Sequence, residues 1–388
     1  MKFGRIVSIL TALCLGASVC SCSTPTKITA EEENMPNTYV LNEENVKLIG
    51  RTCLQNDNLW FALSGTGFEF EFTGKNLELS LIGGIASKKS GNEENYARYA
   101  VYVDGEKVVD KQLDSAEATV KVIESEEEKT SVVTFIKLSE CAMSTMGVKP
   151  IVTDGKVKPT AEKALKIEFI GDSITCGYGV DDEVAEHHFK TATEDVTRAY
   201  AYKTAKALDA DYSMFSTSGY GIISGWTEGD EPIAIQTIPQ YYKSLGFSYD
   251  CFGDSTAPHN IDWDFGRYVP DLIVVNLGTN DSSYCKTYTD RCETYSKEYT
   301  VFLKAIREKN PDAKLLCTLG VMGDSLFPYV EKAVEDYTSE TGDTNIDTLR
   351  FKPQDGSLGY AADWHPTEAT HQQASEALVE KIKEIMEL

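Results

Sequence analysis

The chain has 388 residues, 41% of them hydrophobic, 10% aromatic and 25% charged, a make-up that buries a sizeable core and excludes global disorder. Lys plus Arg number 37 against 61 Asp plus Glu, and the resulting net charge of −24 repels phosphate backbones and anionic lipid surfaces, so no nucleic-acid partner is expected. The length accommodates two domains, and two joined domains of this charge are expected to form a monomer.

Residues 1–22 carry two early cations, Lys2 and Arg5, and then an apolar stretch over 6–19 that is too short to persist as a membrane-spanning helix. This is an export signal. It closes on Val19-Cys20-Ser21-Cys22, which resembles a bacterial lipobox, with Cys22 as the lipidation site because Ser21 is small where Val19 is branched. A plain secretory signal is the alternative. Either way the expected location is outside the cytoplasm, as a lipoprotein at the cell envelope or surface, touching the membrane only through its anchor. Residues 23–38 are polar and acidic without apolar periodicity, the composition of a flexible tether.

Setting aside Cys14, Cys20 and Cys22 leaves Cys53, Cys141, Cys176, Cys251, Cys285, Cys292 and Cys317, an odd set in which at least one thiol stays unbridged. Cys285 and Cys292 are close enough in sequence for a local disulfide in an oxidising compartment. No CxxC, HExxH or spaced His/Cys cluster occurs, so neither a metal nor a cofactor is assigned.

Residues 39–149 alternate with period two: Phe68, Phe70 and Phe72, then Leu77, Leu79 and Leu81, with further runs at 99–103, 118–123 and 132–138. Asp104-Gly105 has the chemistry of a two-residue hairpin turn. These strands, with no helical pattern among them, predict a jelly-roll type β-sandwich. Residues 150–164, with Pro150, Gly155 and Pro159, are expected to form a linker. From 165 to 388 the pattern changes: buried strand-like runs at 165–170, 272–277 and 315–319 alternate with helical stripes. Those stripes are Val196, Tyr200, Thr204 and Leu208; Tyr295, Tyr299, Phe302 and Ile306; and Ala374, Leu378, Ile382 and Ile385. The class is α/β, a three-layer fold around a parallel sheet. Pro366 fits the first turn of the last helix.

Gly171-Asp172-Ser173 follows the first of these buried strands, at the sheet edge where ligands bind in open α/β folds. A second strand end carries Gly278-Thr279-Asn280-Asp281, whose amide could donate to an oxyanion. Gly219, in Ser216-Thr217-Ser218-Gly219-Tyr220, offers a backbone N–H with no Cβ in the way. His365, in Asp363-Trp364-His365-Pro366, could act as base to Ser173. Cys176 is expected to be a buried structural thiol, and His187-His188 a solvated rim. Trp226 and Trp263 lie in the stretch after Gly219, where a carbohydrate platform or core packing are both open.

Taken together, these blocks resemble the SGNH, or GDSL-type, hydrolases over residues 165–388. More narrowly, the run Gly171-Asp172-Ser173-Ile174-Thr175-Cys176-Gly177-Tyr178-Gly179 and Asp363-Trp364-His365-Pro366, behind a β domain, resemble carbohydrate esterase family 2. The resemblance implies an acetyl esterase acting on plant polysaccharides such as xylan and glucomannan, through an acetyl-enzyme and without a metal. It implies Ser173 as nucleophile, His365 as base, and the Ser173 N–H, Gly219 N–H and Asn280 amide as oxyanion donors. Trp364, Tyr220 and Asp281 are candidates for substrate contact. The superfamily usually places an orienting Asp three residues before the His, where this chain has Ala362, so either the Asp363 side chain or a nearby main-chain carbonyl could orient His365. Two other readings stay open: a lipase or esterase acting on other small esters, and an inert carbohydrate-binding lipoprotein.

Overall fold

A computed structural model describes residues 36–89, 91–253 and 255–388. The expected export signal, the lipidation site Cys22 and the tether up to Met35 lie outside those residues. Among the described residues, no helix is long and apolar enough to cross a membrane.

The first part of the chain is all strand apart from one short helical turn: β1 (Asn37–Tyr39), β2 (Lys47–Ile49), β3 (Thr52–Gln55), β4 (Asn58–Phe61), β5 (Gly67–Gly83), β6 (Arg98–Val103), β7 (Glu106–Gln112), β8 (Glu117–Lys137), β9 (Met146–Val148), β10 (Ile151–Thr153) and β11 (Lys156–Pro159). The two Phe and Leu runs are one strand, β5, and the breaks in register against β8 at Gly74/Asn76 and Leu77/Glu78 join them. Beyond β8, the first half of β5 pairs with β2 and β11 and the second half with β9, so this strand is the spine of the domain. Phe68, Phe70, Phe72, Leu77, Leu79 and Leu81 all point into one apolar core, as period two requires. Asp104 and Gly105, both at positive φ, close the β6–β7 hairpin as expected.

The boundaries drawn from composition need two corrections. Asn37 and Thr38, assigned to the tether, pair with Thr153 and Val152 in the β1–β10 ribbon. Residues 150–164 are no linker, since β10 and β11 lie inside them and bury Ile151 and Val157 in the β core. The Pro and Gly residues there punctuate short strands rather than separate two domains.

The second part contains β12 (Lys166–Gly171), α1 (Ser173–Cys176), α2 (Tyr200–Ala207), β13 (Asp211–Ser216), β14 (Leu272–Asn276), α3 (Thr279–Cys285), α4 (Thr289–Lys309), β15 (Lys314–Leu319), α5 (Phe327–Thr341), β16 (Ile346–Arg350) and α6 (Glu368–Met386). Its five strands form a parallel sheet in the order β13-β12-β14-β15-β16. Alternate residues serve opposite faces. Ile273 and Val275 meet α4 and α5 in one core, whereas Leu272 and Val274 meet α2 and α6 in the other. Pro366 precedes α6 rather than opening it, and Thr367 caps the helix by accepting from Thr370 N–H. Cys285 and Cys292, for which the sequence left a local disulfide open, meet as hydrogen-bonded thiols.

The two parts share two apolar clusters: one takes Ile49, Ala100, Ile136 and Leu138 from the β domain, the other Trp60, Ala62, Leu63 and Cys141. Arg51, also from the β domain, is fully buried there. Its guanidinium donates to the carbonyls of Tyr242 and Ser244 at 2.6 and 2.7 Å and pairs with Glu168 of β12 at 3.0 Å. The rings of Phe215 and Tyr242 lie 4.2 and 4.9 Å from it.

Candidate active site

Ser173 follows the carboxyl end of β12 and opens α1, with Asp172 as the cap whose carboxylate accepts from Ile174 N–H at 3.0 Å. Burial pushes the Asp172 carboxyl up to about 7, and nearby Asp281 adds to the shift. The Ser173 hydroxyl lies 2.9 Å from Nε2 of His365, a residue 192 positions later that the turn before α6 brings back across the sheet edge.

The other ring nitrogen of His365 faces only acceptors, the carbonyls of Asp363 at 3.1 Å and Ala362 at 3.2 Å. Carbonyls cannot donate, so Nδ1 carries the proton and Nε2 presents its lone pair to the serine. His365 is half-buried, and its neighbours remove enough water to pull its pKa down to about 4.

The Asp363 carboxylate does not touch His365. It accepts from the Tyr178 hydroxyl at 2.7 Å, His188 Nδ1 at 2.9 Å and Phe189 N–H at 2.9 Å. A carboxylate two residues before the histidine, one short of the usual three, points outward here while its carbonyl points in. Asp363 and Trp364 both sit at positive φ, +50° and +62°, and the bonds to Tyr178 and the 188–189 loop hold that uncommon backbone in place. Tyr178 also stacks on the His365 ring at 3.9 Å between centroids. Sequence reasoning gave Tyr178 no role, although an aromatic between two glycines just after Ser173 was a usable signal. Gly179 lets the strained turn approach, since a Cβ there would lie 2.8 Å from that of Ala362.

Gly219 follows β13 at φ +79°, and no acceptor among the described residues takes its N–H or that of Ser173. Asn280 reaches the same end of the sheet, where its amide donates to the Tyr220 carbonyl at 2.9 Å and, more weakly, to Asp172 at 3.3 Å. Two expected substrate contacts are corrected. Asp281 is buried and accepts from the N–H groups of Ile222, Ile223 and Ser224, so it shapes the loop after Gly219. Tyr220 is buried against Tyr241 and Phe247 and offers substrate no ring face. Trp364, beside His365, is 54% exposed and so open to a ligand; Trp226 is exposed and Trp263 buried.

Cys176 is buried with its thiol pushed well up by burial, as expected for a structural thiol. His188 is exposed, but its bond to Asp363 makes it more than a solvated rim. The one group of metal-type ligands among the described residues is Glu140, Cys176 and Glu194, all buried. A protonated thiol and the adjacent Lys137 ammonium suit it poorly to a cation.

The GDSL-like lipase/acylhydrolase family model matches residues 169–373, and a carbohydrate esterase 2 N-terminal model matches 48–161, a span that takes in β10 and β11. The chain is 32% identical over 322 residues to the cellulase/esterase CelE of Acetivibrio thermocellus, covering 80% of this chain and 37% of that protein. It is 26% identical over 358 residues to an acetylxylan esterase / glucomannan deacetylase of Cellvibrio japonicus, covering 90% and 92% of the two chains. Among solved structures, a family two carbohydrate esterase from Clostridium thermocellum in complex with cellohexaose superposes with a TM-score of 0.75 at 28% identity, over 88% of this chain and 99% of that one. An acetyl xylan esterase from the rumen bacterium Butyrivibrio proteoclasticus shares the fold, with a TM-score of 0.80 at 21% identity over 91% and 99% of the two chains.

Proposed function

Because the chain belongs to the GDSL-like lipase/acylhydrolase family and carries a carbohydrate esterase 2 N-terminal domain, we propose that it is a serine esterase removing O-acetyl groups from plant cell-wall polysaccharide, acetylated xylan or glucomannan. The observation that carries this reading is the 2.9 Å contact of Ser173 Oγ with a His365 whose Nδ1 proton is already committed to two carbonyls.

In this reading Ser173 Oγ attacks the acetyl carbonyl carbon while His365 Nε2 takes its proton. The negative charge that develops on the carbonyl oxygen is met by the unengaged N–H groups of Ser173 and Gly219, and by the Asn280 hydrogen now spent weakly on Asp172. His365 then gives the proton to the sugar oxygen as the ester bond breaks, leaving acetyl-Ser173. A water, deprotonated by His365, releases acetate. Main-chain carbonyls do for the imidazole what a carboxylate does in a triad: they hold the tautomer and partly offset the charge of the imidazolium. Trp364 supplies a face on which a sugar ring can stack.

The likeness to a protein solved with cellohexaose supports a polysaccharide as partner. The protein is further proposed to be exported, to act as a monomer and to be held at the envelope by a lipid on Cys22; the support is the sequence of residues 1–22. The test is acetate release from acetylated xylan, acetylated glucomannan and an aryl acetate by the protein lacking residues 1–22 and by its Ser173→Ala variant. Release from a polymer by the native protein alone sustains the reading. Cleavage of the aryl acetate but of neither polymer redirects it to other small esters, and no cleavage above the variant overturns it.

A further inference from the structure

The loop between β8 and β9 belongs to the β domain, yet it reaches under the strand end that carries Gly219. Glu140, 1% exposed, accepts from the Ser218 N–H at 2.7 Å. Its neighbour Cys141 contacts the Ser216 carbonyl at 3.5 Å and the Thr217 hydroxyl at 3.3 Å. Three consecutive residues before Gly219 are thus gripped by two side chains from the other domain. On the far side, the Gly219 carbonyl accepts from Trp226 N–H at 2.9 Å. The peptide that presents the Gly219 N–H is therefore pinned on both flanks while that N–H stays unengaged.

Glu140 is itself fixed. Its own N–H donates to Glu194 at 2.7 Å, and its carbonyl accepts from the Lys137 ammonium at 2.7 Å. Lys137 is wholly buried at the end of β8, and its charge acts on both glutamates. Glu194 comes from the long loop after the nucleophile, so this cluster ties that loop, the β domain and the oxyanion strand end to one point. A buried carboxylate is costly unless hydrogen-bonded, and the Ser218 N–H is the backbone donor that this one has.

We infer that Glu140 is a positioning residue for the esterase reaction: by holding the Ser218 N–H it fixes the direction in which the Gly219 N–H meets the developing oxyanion, so the β domain contributes to the chemistry as well as to substrate access. This inference rests on the esterase reading. It does not place Glu140 in contact with substrate.

The test compares wild type, Glu140→Ala and Glu140→Gln for kcat and KM on an aryl acetate, thermal midpoint, and residue-resolved amide exchange over 216–221. Glu140→Ala should lower kcat by about a hundredfold with KM within about twofold, because the loss is of transition-state stabilisation. Glu140→Gln, whose amide oxygen still accepts, should recover kcat to within about fivefold of wild type. In the wild-type protein the Ser218 amide should exchange at least about tenfold more slowly than the Gly219 amide, a readout that needs neither a variant nor activity. Equal exchange at the two amides overturns the inference. So does a folded Glu140→Ala with wild-type kcat, or an equal loss in both variants that follows the thermal midpoint alone. If wild type fails to cleave the ester above the Ser173→Ala background, the esterase reading has failed, and the exchange pattern alone decides whether Glu140 holds the loop.

Discussion

Ser173 stands at the end of β12, a strand paired residue by residue with β13 on one side and β14 on the other. His365 stands in a turn with two successive residues in the left-handed region, which side-chain bonds to Tyr178, His188 and Phe189 hold in place. Ser173 is placed by regular structure with buried partners on both faces; His365 is placed by a few polar contacts, some of them exposed. Rigidity is therefore unequal across a contact of 2.9 Å, and substitutions on the histidine side should disturb geometry with less loss of stability than those around the strand.

The strongest test of the comparison is the reacting pair itself. Ser173→Ala should lower kcat by roughly 10⁴-fold or more while leaving the thermal midpoint close to wild type. Next comes the anchor of the turn. Asp363→Ala should cost about a hundredfold in kcat by letting the carbonyls behind His365 move. Asp363→Asn, which keeps the carbonyl and one acceptor, should cost about tenfold or less. A loss for Asp363→Asn near the roughly 10⁴-fold seen when a triad aspartate is replaced would show that the carboxylate acts on the imidazole directly.

The pH profile sharpens the same contrast. An ordinary histidine, protonating near 6.5, would leave only about 3% of the active form at pH 5. Here loss of hydration holds His365 near 4, so kcat/KM should stay within about twofold of its plateau at pH 5 and fall with an acid limb near 4. An acid limb at 6 or above would contradict the desolvated imidazole. Linkage has the matching sign: a histidine whose folded pKa is depressed contributes stability present above about 6.5 and lost as pH falls toward 4.

On the strand side, Gly219→Ala is a test of backbone alone, because an added Cβ would have nothing within 4 Å to meet. Keeping a left-handed residue there costs about 1 to 2 kcal/mol, and a loop that relaxes instead should lose about tenfold in kcat. The smallest effect expected is at Trp364. Trp364→Ala should raise KM on a polymeric substrate by a few-fold, leave kcat on an aryl acetate unchanged, and so separate sugar contact from chemistry.

Much of this was legible in the chain. Buried strands announce themselves as apolar runs, so the ends of β12 and β14, and with them Ser173 and Asn280, can be located from residue order alone. The hairpin at Asp104-Gly105 was legible because its turn has demanding chemistry. What resisted reading depended on partners far along the chain. The spacing before His365 leaves open whether the Asp363 side chain or a carbonyl orients the ring, and only the folded turn decides, since positive φ at a residue other than glycine leaves no trace in composition. Asp281 and Tyr220 look like site residues by proximity to motifs, and only the packed loop reveals them as its support. The segment 150–164 reads as a linker because short paired strands and true linkers share the same residues. Glu140 lies 78 positions from Ser218, beyond any periodicity.

Arg51 bears on how this protein can be used. Its partner Glu168 sits inside β12, between β13 and β14, and removal of the β domain would leave that carboxylate without its cation, a change that costs about 3 to 5 kcal/mol for a buried pair. Truncation to residues 165–388 should thus give an aggregating fragment rather than a minimal enzyme. Anyone grafting this esterase onto a different binding module should carry the whole of residues 36–388, and should expect it to melt in one transition.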